Sequence, residues 1–162
     1  MTIKIIIVFC FFFLSTHSFA QKYILADGEF MDTTINKNTI CKDYELYFYQ
    51  VGCKYPRSSS TTLKELLSFL NQKNKMYEGS GYISFQFKID CAGKKLKRTQ
   101  VLQTDEQYKN YHFDKELVLE LSLFLNSLDQ WNIAKNKEGQ TFVYKTFITF
   151  KIKNGKVINI IP

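Results

Sequence analysis

Cysteine is the residue type with the most definite chemistry in this sequence, because two thiols can join as a disulfide in an oxidising compartment. Of the four cysteines, three lie beyond the first twenty residues: Cys41, Cys53 and Cys91. Cys41 and Cys53 are the favoured pair, since the eleven residues between them can hold a turn that leads into a strand. Cys91 stays open as an alternative partner, and the odd count leaves one thiol over.

Acid–base, nucleophilic and metal chemistry have few residues to carry them. His112 is the only histidine after residue 20, and the sequence contains no Cys-x-x-Cys, so no metal site is expected. Carboxylates occur at Asp105, Glu106, Asp114 and Glu116. Acids at or just before a helix start commonly serve the helix dipole. We therefore expect no cofactor and no catalytic activity, and a small exported enzyme is the least favoured class.

The N-terminus has the three-part pattern of a secretory signal. Lys4 precedes an apolar run over residues 5–14, and the polar end closes in Ser18-Phe19-Ala20. A membrane-spanning helix needs about 20 apolar residues, and this run is half as long, so cleavage is favoured over an uncleaved anchor. We expect residues 1–20 to be a signal peptide and the mature chain to start at Gln21, without a transmembrane anchor. The expected location is periplasmic or secreted.

Charge and length set further limits. Removing residues 1–20 takes out one lysine and no acid, so the formal charge falls from +7 to +6 over the remaining 142 of 162 residues. That length is enough for one domain with a hydrophobic core. Positive charge is compatible with nucleic acid, an acidic lipid surface or solubility alone. Export makes nucleic acid the least favoured of these, and we expect solvated lysines.

Hydrophobic periodicity predicts two helices. The first helix carries an apolar stripe that comprises Leu63, Leu66, Leu67 and Leu70. Thr62 and Glu65 form a capping box at the start of this helix. Asp114 can cap the second helix, whose buried stripe comprises Leu117, Leu121, Phe124, Leu125 and Leu128. Trp131, at the end of this second helix, is expected in the core.

Strict alternation of apolar and polar residues predicts the strands. Residues 82–89 alternate throughout, and residues 95–103 return beside them as a β-hairpin. Residues 141–153 form a long third strand, and Asn154-Gly155 is the strongest two-residue hairpin signal, so residues 157–161 fold back beside it. Residues 21–54 are predicted to be a strand extension with a turn at Asp27-Gly28.

Several motifs recur in the order found in a known family. They are Tyr55-Pro56 before a helix, the strand over residues 81–90 with Gly93-Lys94 at its turn, a helix over residues 113–131 that ends in Trp, and Gly139 followed by the strand through Phe150-Lys151-Ile152. Together they resemble the C-terminal domain of TonB, the periplasmic protein that energises outer-membrane transporters. The resemblance implies an α+β domain over residues 55–162, an antiparallel sheet with two helices packed on one face.

The resemblance also implies a function. In that family the exposed edge of the last strand can accept an extended peptide, so we expect non-catalytic protein binding by strand addition. The expected partner is an envelope or outer-membrane protein, and homo-oligomers through the edge strand stay open. The partner-binding residues are Tyr55, Pro56, Lys145, Phe147, Thr149, Lys151 and Lys153. The alternative is a structural subunit of an envelope or secretion assembly. Without a Pro-rich spacer in the sequence, energy transduction is not expected.

Two features leave alternatives open. The tail over residues 156–162 either guards the edge of the third strand permanently or is displaced by a partner strand. The N-terminal aromatic residues either pack the added strand onto the sheet, which is favoured, or form an interface; they are Tyr44, Tyr47, Phe48, Tyr49 and Tyr55.

Overall fold

The computed structural model describes residues 29–34, 41–73 and 75–161. The predicted signal peptide, the start at Gln21 and the Asp27-Gly28 turn lie outside the described residues. Within them the chain forms two helices and a seven-stranded sheet, which confirms the α+β class. The helices are α1 (Ser59–Asn71) and α2 (Lys115–Ser127); the strands are β1 (Phe30–Asp32), β2 (Lys42–Tyr47), β3 (Gly81–Ile89), β4 (Lys95–Asp105), β5 (Ala134–Lys135), β6 (Thr141–Lys153) and β7 (Lys156–Ile161).

The β3–β4 hairpin follows directly from the alternation in the sequence. Every second side chain of β3 is buried, and the residues between them are half-buried, as expected for a sheet with one face on the core. The Asp90 carboxylate organises the turn, because its Oδ1 accepts hydrogen bonds from Ala92 N–H (2.9 Å) and Lys94 N–H (2.8 Å). The predicted hairpin is therefore confirmed, with β4 extending two residues further than predicted.

Strand β6 has the bounds predicted from the sequence, and β7 folds back against it through the Asn154-Gly155 turn. Residues at even positions from Phe142 to Ile152 face the core and are buried, while most of those at odd positions face the other side of the sheet. The predicted second hairpin is confirmed, and β7 starts one residue before the predicted start.

The sheet has the order β1-β4-β3-β6-β2, with β5 and β7 also paired to β6. All pairs are antiparallel except β2 with β6, which run parallel. The N-terminal extension therefore supplies a strand to each lateral edge of the sheet, since β1 pairs with β4 and β2 pairs with β6.

Helix α1 begins earlier than the sequence predicts. Ser58 is the N-cap, and its Oγ accepts a hydrogen bond from Thr61 N–H at 3.2 Å. The predicted capping box at Thr62 is wrong, because Thr62 is already inside the helix and donates its hydroxyl to Ser58 O at 3.0 Å. Leu66 is fully buried, but Leu67 is 36% exposed, so the predicted stripe is only partly buried.

Helix α2 has the predicted cap: Asp114 Oδ1 accepts a hydrogen bond from Glu116 N–H at 2.7 Å. The helix ends at Ser127, so the prediction that it continues to Trp131 is wrong. Trp131 is nevertheless a core residue, as predicted, because it is 5% exposed and its ring lies 5.1 Å from that of Phe87 on β3.

Both helices contribute to one hydrophobic core on one face of the sheet. Leu66 of α1 and Leu121 of α2 belong to the same buried cluster as Phe85 of β3 and Phe150 of β6. The helices also touch each other, with the rings of Phe69 and Phe124 5.9 Å apart. The opposite face of the sheet carries the half-buried side chains of β3 and β6, and we call it the open face.

The disulfide joins Cys41 to Cys91, and Cys53 is free and buried. The predicted Cys41–Cys53 pair is therefore wrong, and the alternative that had been left open for Cys91 is correct. Cys53 instead contributes its side chain to the hydrophobic core, where it is 6% exposed.

Strand pairing explains this connectivity. Cys41 comes just before β2, whose Lys42 is opposite Phe142 at the start of β6. Cys91 follows β3, whose last residue, Ile89, is opposite Tyr144 on β6. Both cysteines therefore lie at the same end of the sheet, on either side of the first residues of β6.

Candidate functional site

Strand β6 is the predicted acceptor of a partner strand, so its two edges decide what it can bind. Lys145 pairs with Lys88 of β3 and also with Tyr47 of β2, which places β2 and β3 on opposite edges of β6. Thr149 pairs with both β3 and β7, so β7 shares the edge that β2 occupies. The expectation that β6 offers an exposed edge is therefore wrong: it is a central strand with β2 and β7 on its outer edge.

The cover on this outer edge is made of two pieces with a gap between them. The last residue of β6 that pairs with β2 is Lys145, and pairing with β7 begins at Thr149. Phe48 N–H donates to Lys145 O at 2.8 Å, so the backbone groups of Phe147, two residues on, point to the same edge. Among the described residues, neither β2 nor β7 pairs with residues 146–148, and the Phe48 ring lies 5.3 Å from the Phe147 ring.

The structure brings four of the predicted partner-binding residues together on the open face. Lys145, Phe147, Thr149 and Lys151 are all half-buried odd-numbered residues of β6, and Lys153 is exposed at its end. Thr149 Oγ1 is hydrogen-bonded to the hydroxyl of Ser84 at 2.7 Å. Lys151 Nζ lies 5.9 Å from the centre of the Tyr82 ring.

Tyr55 and Pro56, the other two predicted partner-binding residues, are set apart from this row. Tyr55 is 8% exposed and its ring packs 4.7 Å from that of Trp131, so it is a core residue and not accessible to a partner. Burial raises the pKa of the Tyr55 hydroxyl, which has no hydrogen-bond partner among the described residues. Pro56 is exposed.

A cluster of two acids and two lysines attaches β2 to the sheet, and sequence reasoning missed it. Lys88 Nζ lies 2.5 Å from both Asp43 Oδ2 and Glu45 Oε1, and the second oxygen of Glu45 contacts Lys145 Nζ. Burial lowers the pKa of Lys88, but hydrogen bonds to the two carboxylates outweigh it and leave the pKa raised. The sequence gives no local signal for the cluster, because Glu45 and Lys145 are 100 positions apart.

Glu45 should titrate at an unusually low pH. Hydrogen bonds from Lys145 and Lys88 lower its pKa from 4.5 to about 2. The stabilisation is therefore complete above about pH 5 and is lost as the pH falls towards 2. Because the side chain is 59% exposed, we expect it to contribute less than about 1 kcal/mol. Carbon-13 NMR titration of the Glu45 carboxyl tests this, and Lys145→Met should move the midpoint up towards 4.5. A midpoint that Lys145→Met leaves unchanged would contradict the assignment.

Three backbone amides of β2 and β7 are capped by side chains of the same segments. On β2, Glu45 N–H donates to Asp43 Oδ1 at 3.1 Å and Tyr47 N–H donates to Gln50 Oε1 at 2.8 Å. On β7, Ile160 N–H donates to Asn159 Oδ1 at 2.9 Å. These contacts occupy donors that another strand would need, so they protect the outer edges of β2 and β7 against strand addition.

Two of the residues considered for catalysis, Asp105 and His112, make contacts with nearby groups of the domain. Asp105 Oδ1 accepts hydrogen bonds from Gln107 N–H and Lys109 N–H in the turn after β4. His112 Nδ1 lies 3.1 Å from Glu29 Oε1, and both side chains are exposed to solvent. Within the described residues, no group of three or more His, Cys, Asp or Glu side chains could hold a metal ion.

Lys95, at the start of β4, has an unusual environment for a lysine. Its Nζ donates to Thr99 Oγ1 at 2.6 Å and to Leu96 O at 3.2 Å, and it lies 5.3 Å from the centre of the Phe87 ring. Burial lowers the pKa of this amine to about 8, with Asp32 partly opposing the change. A substantial fraction of the Lys95 side chains is therefore uncharged at mildly alkaline pH.

The reactivity of Lys95 tests this environment. Trace acetylation across pH 6–11, followed by mass spectrometry, should give a midpoint of about 8 for Lys95 in the native protein. In urea the same residue should return to its ordinary midpoint of about 10.5, because the burial is lost. Equal midpoints in the native and unfolded protein would contradict the burial of this amine.

Comparison of the chain with family models, with curated proteins and with solved structures finds no match. Among the described residues, neither helix has the length and apolar character needed to cross a membrane.

Proposed function

We propose that this chain is an exported, non-catalytic protein-binding domain resembling the TonB C-terminal domain, and that it accepts an extended segment of an envelope or outer-membrane protein beside β6. The observation that carries the proposal is the divided cover on the outer edge of β6, where neither β2 nor β7 pairs with residues 146–148 within the part of the chain that the structure describes. A strand added there gains main-chain hydrogen bonds, and neighbouring side chains supply selectivity.

Three residues are too few for a stable added strand, so one of the two covering strands has to move. Strand β7 buries Val157 (3% exposed) and Ile160 (4% exposed) in the core, and α1 packs against it. Strand β2 has four exposed and two half-buried residues, and none of its side chains is fully buried. Of the two alternatives for the tail, we therefore favour the one in which β7 covers β6 permanently. The strand that a partner displaces is then β2.

A second candidate function is a structural subunit of an envelope or secretion assembly. It is favoured by the solvent-facing side of α2, where Leu119 is 51% exposed and Leu123 is 48% exposed one turn apart. Two exposed leucines one turn apart form an apolar surface of the kind that a neighbouring protein covers. The two functions therefore use different surfaces of the domain.

Site-specific crosslinking in the native cell distinguishes them. A photoreactive benzoylphenylalanine in place of Phe147 reports on the edge of β6, and the same residue in place of Leu123 is the control on α2. We expect an adduct with one envelope protein from position 147 only, mapped by mass spectrometry to an extended segment. A synthetic peptide of that segment should then shift the amide NMR signals of residues 142–148. An adduct from position 123 alone favours the structural subunit, and no adduct from position 147 contradicts strand addition.

A further inference from the structure

Strand β2 occupies the outer edge of β6 as a bound peptide would. It runs parallel to β6, and its side chains contact side chains of β3 and β6. Its carboxylates meet Lys88 and Lys145, the Tyr44 ring lies 6.0 Å from the Phe142 ring, and Phe48, just beyond its end, packs edge-on against Phe147 at 5.3 Å. The contacts of β2 therefore describe what a segment in this place must carry.

We infer that β2 is an internal substitute for the partner, and that the partner segment is an extended peptide with an aromatic residue, a carboxylate, two further residues and a second aromatic residue in that order. This is the pattern of residues 44–48, Tyr-Glu-Leu-Tyr-Phe. The inference rests on the proposed function, since it assumes that β6 accepts a partner strand.

The two lysines give the site its preference for an acid. The side chains of Lys88 and Lys145 are 27% and 25% exposed, so both ammonium groups are partly withdrawn from water. If β2 leaves without a replacement carboxylate, two neighbouring positive charges remain without their partners at a site of restricted hydration. A neutral or basic segment is therefore disfavoured, and a carboxylate at the position of Glu45 is required.

The irregular backbone of β2 makes it a replaceable occupant. Its register with β6 shifts between Asp43 and Leu46, which interrupts the ladder of main-chain hydrogen bonds. Glu45, within this interval, has φ of +56°, a left-handed conformation that is unfavourable for a residue with a side chain. A partner that places a carboxylate against Lys88 and Lys145 without a left-handed residue avoids this strain. It can therefore compete with β2 although β2 belongs to the same chain.

Peptide binding to the full-length chain tests the inference. The probe is a fluorescein-labelled peptide of residues 42–50, and its affinity is measured by fluorescence anisotropy for wild type, Glu45→Lys and Glu138→Lys. Glu45→Lys places a lysine against Lys88 and Lys145, so β2 is repelled and the peptide should bind at least about 10-fold more tightly than to wild type. Glu138 is exposed in the turn before β6, so Glu138→Lys makes the same charge change and should behave as wild type.

Changes in the peptide complete the test. A peptide with lysine in place of the glutamate at position 45, and a scrambled peptide of the original composition, should each bind Glu45→Lys at least about 10-fold more weakly than the original peptide. Amide hydrogen exchange of residues 42–47 reports whether β2 has left β6. If the Glu45→Lys chain does not fold, Glu45→Gln removes the charge without reversing it and should give an intermediate gain in affinity.

The outcomes separate the inference from the function on which it rests. If the lysine peptide binds as tightly as the original, β6 accepts strands but the requirement for a carboxylate is overturned. If β2 remains protected in both Glu45 variants, its role as a replaceable substitute is overturned. If β2 is released and no peptide binds, strand acceptance by β6 is itself contradicted.

Discussion

Gly155→Ala is expected to lower the free energy of unfolding by at least about 3 kcal/mol. Gly155 closes the β6–β7 hairpin with φ of +70°, and its N–H donates to Gly79 O at 2.7 Å. A Cβ at this position would lie 1.8 Å from Tyr77 O and 2.8 Å from Glu78 N. Both contacts are with backbone, so relief requires the segment before β3 to move or the hairpin to open.

Gly139→Ala is the matched control, because it separates backbone strain from collision. Gly139 has φ of +80°, and a Cβ there would meet nothing within 4 Å. Its replacement should therefore cost only the strain of a left-handed residue, about 1 kcal/mol. Urea unfolding of the two variants and the wild type measures both values. Equal losses at the two positions would show that the collision at Gly155 is relieved without cost.

The elements from β3 onward could be predicted because their signals are local. In β3, apolar residues alternate from Ile83 to Ile89, and one face of the strand is buried as a result. The Asn154-Gly155 pair specifies a two-residue turn wherever it occurs between strands, and Asp114 caps α2 through its own neighbours. Each of these features depends on residues close together in sequence.

The place of β2 could not be predicted, because it depends on residues about 100 positions away. Glu45 meets Lys145 across the sheet, and nothing in the sequence near residue 45 indicates that contact. The strand is also largely exposed and has a register shift, so it lacks the regular alternation by which strands are recognised. Because the pairing of β2 with β6 could not be foreseen, the prediction of an exposed edge on β6 was wrong.

The wrong disulfide prediction has the same origin. The short spacing between Cys41 and Cys53 favours a local pair only if the intervening residues turn back, but residues 42–47 run along β6 instead. Once β2 is paired with β6, Cys41 lies beside the end of β3, where Cys91 is found. Long-range pairing therefore decides the connectivity, and spacing along the chain does not.

Replacing both Cys41 and Cys91 with alanine is expected to lower the free energy of unfolding by about 2–4 kcal/mol. The disulfide joins residues separated by 50 positions, and the loss of loop-closure entropy in the unfolded chain accounts for about 4 kcal/mol as an upper value for a loop of that size. The double variant is preferable to either single one, since air oxidation would join a lone thiol to Cys53. Urea unfolding under non-reducing conditions gives the value.

A thiol reductant distinguishes the covalent link from the packing of the two side chains. Dithiothreitol should destabilise the wild type nearly as much as the double substitution does, and it should leave the double variant unchanged. Cys53→Ala is the matched control, because it removes a buried cysteine outside the disulfide and should cost about 1 kcal/mol whether or not reductant is present. If reductant leaves the wild type unaffected while the double variant is destabilised, the stabilisation comes from side-chain packing. Because the disulfide fixes only the start of β2, its loss should speed amide exchange in β2 more than in β7, whose buried Val157 and Ile160 remain in place.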